Sequence, residues 1–119
     1  MHPISLAEKL SQFDEHWSPR IIGAVNDMHV KLVKLQGEFV WHHHEHEDEL
    51  FLVLRGRLRM RFRDHESVVS AGELIIVPRG VEHQPVADEG TAVLLVEPRT
   101  TLNTGNVRNE LTVDELKRL

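Results

Sequence analysis

Between Met28 and Glu97 no hydrophobic pattern runs for long before a glycine, a proline or a polar cluster interrupts it. Met28 to Leu35 and Phe39 to His44 read as strands on either side of Gly37. Leu50-Phe51-Leu52-Val53-Leu54 is a continuous apolar run too short for a helix, and reads as a buried strand. After the Arg55-Gly56-Arg57 turn, Leu58, Met60 and Phe62 alternate with Arg57, Arg59, Arg61 and Arg63, the period of two that marks a half-buried strand. Ser67 to Ser70 and Leu74 to Val77 are further strands split by Ala71-Gly72, and Thr91 to Glu97 closes the series ahead of Pro98. Short strands at this spacing pack as a sandwich or a barrel, so the expected class is all-β.

The flanks differ from this middle. Ser5-Leu6-Ala7-Glu8 has the form of a capping box, and Leu6, Leu10 and Phe13 follow at helical spacing, which predicts a helix from Leu6 to Phe13. Thr112-Val113-Asp114-Glu115 has the same form and predicts a second short helix through Leu119. The expected organisation is a helical segment over 1–20, a β-barrel over 21–98 and a tail with a short helix over 99–119. At 119 residues these form one domain.

Composition excludes several classes. The chain contains no cysteine, so disulfides, thiolate metal sites, thiol nucleophiles and iron–sulfur clusters are ruled out. It holds 14 Lys plus Arg against 19 Asp plus Glu, which argues against a nucleic-acid partner. No apolar stretch approaches the roughly 20 residues of a membrane span, and no secretory signal is visible after Met1, so a cytoplasmic protein is expected. Histidine is the excess: of nine, four lie between His42 and His46.

His42 and His44 lie two apart on the predicted strand, so both rings leave one face while His43 leaves the other. Glu49 has the opposite parity, but the polar Glu45-His46-Glu47-Asp48 segment supplies a bend that resets the phase. Glu49 then opens the next strand facing inward, ahead of Phe51 and Val53. His83, just past the Pro78-Arg79-Gly80 turn, is the fourth ligand candidate. Three imidazoles and one carboxylate suit a divalent Mn, Fe, Ni, Cu or Zn ion. Four protein ligands leave positions open for water or substrate.

These residues carry a family resemblance. Gly37, His42, His44, Glu49 and Gly56 resemble the first motif of the cupin superfamily, G-x5-H-x-H-x3,4-E-x6-G. Gly72, Pro78, Gly80 and His83 resemble the second, G-x5-P-x-G-x2-H-x3-N. The gap from Gly37 to His42 is one residue short of the pattern, and Ala87 stands where the second motif ends in Asn. A shifted register with His43 and Glu45 in the ligand places would spoil the spacing to Glu49 and Gly56. The resemblance implies a small single-domain cupin: a double-stranded β-helix, or jelly-roll barrel, with His42, His44, Glu49 and His83 holding one divalent metal per chain. It also implies a homodimer.

His29, Phe51, Val53, Met60 and Phe62 are candidates for the wall of a substrate pocket, with His29 a possible acid–base group. The four arginines from Arg57 to Arg63 read as a charged outer strand face, and Trp41 as packing away from His42. The expected function is a metal-dependent reaction on a small oxygen-rich metabolite, of isomerase, dioxygenase, decarboxylase or lyase type. The alternative is a module that binds or senses a small ligand without turning it over.

Overall fold

The computed structural model describes all 119 residues. One short helix, α1 (Leu6–Leu10), precedes eight strands: β1 (Arg20–Val25), β2 (Met28–Glu38), β3 (Glu49–Arg55), β4 (Arg57–Phe62), β5 (Glu66–Ser70), β6 (Leu74–Val77), β7 (His83–Pro98) and β8 (Lys117–Arg118). The architecture is all-β, as the strand spacing predicts. No helix is long and apolar enough to cross a membrane.

The 16-residue β7 organises the barrel. Its first part, His83 to Ala87, lies antiparallel to β4, and Ala92 to Val96 lies antiparallel to β3. Strand β2 runs along both parts, with a register shift between Leu35 and Gly37 where the chain bends. Strand β6 pairs β3, β5 pairs β4, and β1 pairs β2. Alternation then sorts the side chains. Val33 and Leu35 of β2, Phe51 and Val53 of β3, Leu58 and Met60 of β4, and Val93 and Leu95 of β7 face inward as one core. On the outer face, Leu32 and Ala92 are covered by Leu10 and Phe13 from the N-terminal segment.

Ser5 caps α1, its hydroxyl accepting from the Glu8 amide at 3.2 Å. The helix ends at Leu10, three residues before the predicted end, yet Phe13 is still buried, beneath the cations of Arg20 and Lys34.

Three local expectations are corrected. No helix follows Thr112. Its hydroxyl contacts the Thr104 hydroxyl at 2.7 Å and accepts from the Asn109 amide at 3.0 Å, so it serves a loop. Lys117 and Arg118 then form β8, parallel to β1. The segment from Phe39 to His44 is extended but pairs only at single points, so it is not a regular strand. The last long strand begins at His83, not Thr91, because Gly90, at φ +79°, lets the chain turn without leaving the sheet.

Each arginine of β4 and its flank meets an acid. Arg57 and Arg59 share Asp88, Arg61 meets Glu66, and Arg63 meets Glu82. This is the charged outer face that the alternation predicts. Arg63 also lies over the Trp41 ring, 3.8 Å from its centroid.

Candidate metal centre

Two clamps bring the two motifs together. His42 N–H donates to the His83 carbonyl at 3.0 Å, and His83 N–H donates back to the His42 carbonyl at 2.9 Å. The Phe39 amide donates to the Pro85 carbonyl and the Gly80 amide to the His44 carbonyl, so residues 39–44 run antiparallel along 80–85. On the far side of the bend, Asp48 accepts from the Arg79 amide at 2.8 Å and from its guanidinium at 3.2 Å. The Arg79 hydrogen bonds hold the Asp48 carboxyl below the usual carboxylate range. The bend at 45–46 resets the phase, and β3 opens with Glu49 facing inward.

One ligand atom from each of His42, His44, Glu49 and His83 lies within 4.8 Å of the others, and all four residues are buried. Two of the rings have their tautomers set by backbone. His42 Nδ1 lies 2.9 Å from the Val40 carbonyl and His83 Nδ1 lies 2.8 Å from the Val81 carbonyl. A carbonyl only accepts, so each Nδ1 carries the proton and each Nε2 keeps its lone pair.

Polar atoms at the centre of the cluster find no hydrogen-bond partner. His44 Nε2, His83 Nε2 and Glu49 Oε1 are buried without a hydrogen-bond partner. Glu49 Oε1 lies 2.8 Å from His44 Nε2 and 3.5 Å from His83 Nε2, without hydrogen-bond alignment. Several unpartnered acceptors converging in a buried volume are unfavourable unless a cation satisfies them. The donor set fits a divalent transition ion.

Electrostatics agree. Burial, together with the neighbouring His83, pushes His42 down to about 4, so its ring stays neutral well below its ordinary range. Burial disfavours the Glu49 carboxylate, but its contacts with Glu97, His44 and His83 outweigh that and hold it well below the usual range. Burial and the Glu49 charge raise Glu97 well above it.

Glu97 and its partner Lys31 were not among the candidates. Both are buried, and Lys31 Nζ contacts Glu97 Oε1 at 2.7 Å. The signal was available: each ends an inward-facing alternation, Lys31 with Val33 and Leu35, Glu97 with Val93 and Leu95.

A half-open cavity of about 40 Å³ reaches the cluster at His42 and Glu49. Phe51 lines it. The other pocket candidates do not. Val53 and Met60 are sealed in the core, and Phe62 packs on that core and stacks on His65. His29 pairs with Ala24 on β1 and Glu97 on β7, outside the cavity wall. Trp17 and Asn103, distant in sequence, line it instead. A second cavity, of about 160 Å³, meets the cluster at His44, with the polar side chains of Glu45, Glu47, Thr100 and Asn106 in its wall.

Known proteins share this frame. A cupin-2 domain-containing protein from Shewanella frigidimarina NCIMB 400 is 48% identical, with a TM-score of 0.79 over 81% of this chain and 94% of that one. NMB1881 from Neisseria meningitidis is 31% identical, with a TM-score of 0.75 over 82% and 99%. YdbB of Bacillus subtilis (strain 168) is 42% identical over 77 residues, 64% of this chain and 68% of that protein. The family profile described as "Cupin domain" matches residues 28–97, from the start of β2 to Glu97, and the chain belongs to that cupin family.

Proposed function

We propose that the chain holds one divalent metal ion at His42, His44, Glu49 and His83 and acts on a small molecule that binds the ion directly. The observation that carries this reading is the convergence of buried, unpartnered acceptor atoms from three stretches of chain. When bound, such an ion supplies Lewis acidity toward an oxygen donor of the ligand, and redox chemistry if it is Mn, Fe or Cu.

The chain's own residues do the rest. The Val40 and Val81 carbonyls hold the His42 and His83 rings by their Nδ1 protons, so neither ring needs to reorient. Glu49 brings the negative charge that favours a cation over a neutral guest. Apolar side chains line most of the cavity on the His42 side.

A second reading, binding or sensing without turnover, draws on one observation. Outside the cluster, the cavity wall contains no Ser, Lys, Asp or further Glu to serve as nucleophile or acid–base group. The reaction class among isomerase, dioxygenase, decarboxylase and lyase follows from the metal.

Elemental analysis of protein purified without a tag or chelator tests the central claim. One equivalent of a transition metal, lost in the His42→Ala plus His44→Ala variant, is the expected result. Metal-free protein that also fails to take up Mn, Fe, Ni, Cu or Zn on titration overturns it.

A further inference from the structure

The cavity that reaches the cluster has walls of one kind. Beyond His42 and Glu49 it is enclosed by Val33 and Leu35 of β2, Phe51 of β3 and Leu95 of β7, with Phe39 and Trp17 completing the wall. Asn103 is the one other polar side chain, and its amide is engaged at both ends. Its Nδ2 donates to the Leu111 carbonyl and its Oδ1 accepts from the Val113 amide, each at 2.9 Å. The Trp17 indole N–H donates to the Gln36 carbonyl at 3.0 Å. No side-chain hydrogen-bonding group outside the cluster is left free in this wall.

Trp17 is built into place. Its φ of 59° is a left-handed conformation that a bulky residue rarely adopts. Its ring stacks on Phe39 with centroids 4.6 Å apart and planes 18° from parallel. Its amide donates to the Lys34 carbonyl at 2.9 Å. The approach for polar molecules lies elsewhere, beside His44, where Glu45, Glu47 and Asn106 line the second cavity. The apolar chamber is therefore not required for water or ion entry.

We propose that this chamber selects a ligand with a compact apolar body, an aromatic ring or a branched alkyl group, and one oxygen-donor head aimed at the ion. The inference rests on the metal reading above and narrows its substrate class. A polyhydroxylated ligand would surrender water at each hydroxyl with no wall group to replace it. An apolar body gains contact with Phe51, Phe39 and Trp17 and leaves no polar atom stranded.

Two chelators with one head test this: benzohydroxamic acid and acetohydroxamic acid. Each is titrated calorimetrically into protein loaded with one equivalent of Ni(II), the loading verified by elemental analysis. Each affinity is referenced to the same acid with free Ni(II). The expected result is benzohydroxamate at least tenfold tighter than acetohydroxamate, with the ratio falling toward one in Trp17→Ala at unchanged metal content. Equal binding, or preference for acetohydroxamate, by loaded protein overturns the chamber and leaves the metal centre standing. An undiminished ratio in Trp17→Ala overturns the assignment to this cavity. Protein that retains neither Ni(II) nor any of Mn, Fe, Cu and Zn overturns both readings.

Discussion

His42 and His83 are joined by a reciprocal pair of backbone hydrogen bonds, at 3.0 and 2.9 Å, that forms an isolated bridge outside the named strands. Their ring centroids lie 4.4 Å apart as a result. The backbone therefore sets the distance between these two candidate ligands. Replacing either side chain removes a donor without moving the other. His42→Ala and His83→Ala are each expected to lower metal occupancy while the fold persists, and His42→Ala plus His44→Ala to abolish it. Metal content and far-ultraviolet circular dichroism, measured on the same samples, check this. Loss of both signals together would mean that the rings hold up the fold and not an ion.

The depressed His42 value makes the metal-free protein acid-sensitive. The unfolded chain takes a proton on this ring below its ordinary 6.5, whereas the folded chain resists until about 4. Across that window the unfolded state binds more protons, so stability falls as pH falls from 6.5 toward 4. The limit is roughly 3 kcal/mol. Glu49 and Glu97 shift in opposite directions and offset each other in part. Urea unfolding of chelator-treated protein at a series of pH values should show the decline, and His42→Asn should flatten it. A midpoint constant from pH 6.5 to 4 would contradict the neutral buried ring.

Lys31 and Glu97 place a buried hydrogen-bonded pair behind Glu49, one of the candidate ligands. Glu97 gives one oxygen to Lys31 Nζ at 2.7 Å, and its carboxyl lies near enough to Glu49 for each to shift the other's acidity. Removing Glu97 alone strands the ammonium, which then turns to Glu49 and competes with the cation. Glu97→Leu should lose roughly 3–5 kcal/mol of stability and weaken metal binding at least tenfold. Adding Lys31→Met should recover most of both losses, since a buried pair replaced by apolar residues is often neutral or stabilising. A double variant no better than Glu97→Leu would show that the pair has no such linkage to the site.

The turn glycines are not equivalent. Gly56 and Gly37 both adopt left-handed φ, +81° and +77°. A Cβ on Gly56 would fall on Thr91 Oγ1 and 2.6 Å from Thr91 Cα, whereas one on Gly37 meets nothing within 4 Å. Thr91 cannot yield easily, because its hydroxyl donates to the Asp88 carbonyl at 2.7 Å and accepts from the Arg57 amide at 3.1 Å. Gly56→Ala should destabilise by more than about 2 kcal/mol and Gly37→Ala by about 1, from backbone strain alone. Thermal melts of the two variants side by side check the order.

What was legible in the sequence follows from short-range rules. The two-residue period of β4, the apolar run of β3 and the turn glycines act through neighbours in the chain, so they survive folding unchanged. The convergence of His42, His44, Glu49 and His83 was legible because His42 and His44 share parity and the 45–48 bend restores it for Glu49. The misses depend on partners far along the chain. Thr112 is a good cap in isolation, but Thr104 and Asn109 engage its hydroxyl and β1 takes Lys117 into a sheet. Lys31 and Glu97 are polar residues at inward positions, and nothing local says that they meet. Trp17 reaches the cavity only because its segment crosses the barrel beside Phe39.

One apolar surface remains uncovered. On the outer face of the barrel, Ile76 stands opposite Leu50, which stands opposite Val96, and Leu74, Leu52 and Leu94 form a parallel row. The N-terminal segment covers the end at Leu94, but Leu74 and Ile76 on β6 are 53% and 57% exposed. β6 has a hydrogen-bonded neighbour on one side alone. A second copy packing its own rows here buries both, and the isologous geometry closes after two chains. Sedimentation velocity at micromolar concentration should give twice the 13.7 kDa chain mass. Ile76→Lys should return the protein to chain mass with stability within about 0.5 kcal/mol, because an exposed side chain contributes little to its own monomer. Wild-type protein sedimenting at chain mass across that range would rule the second copy out.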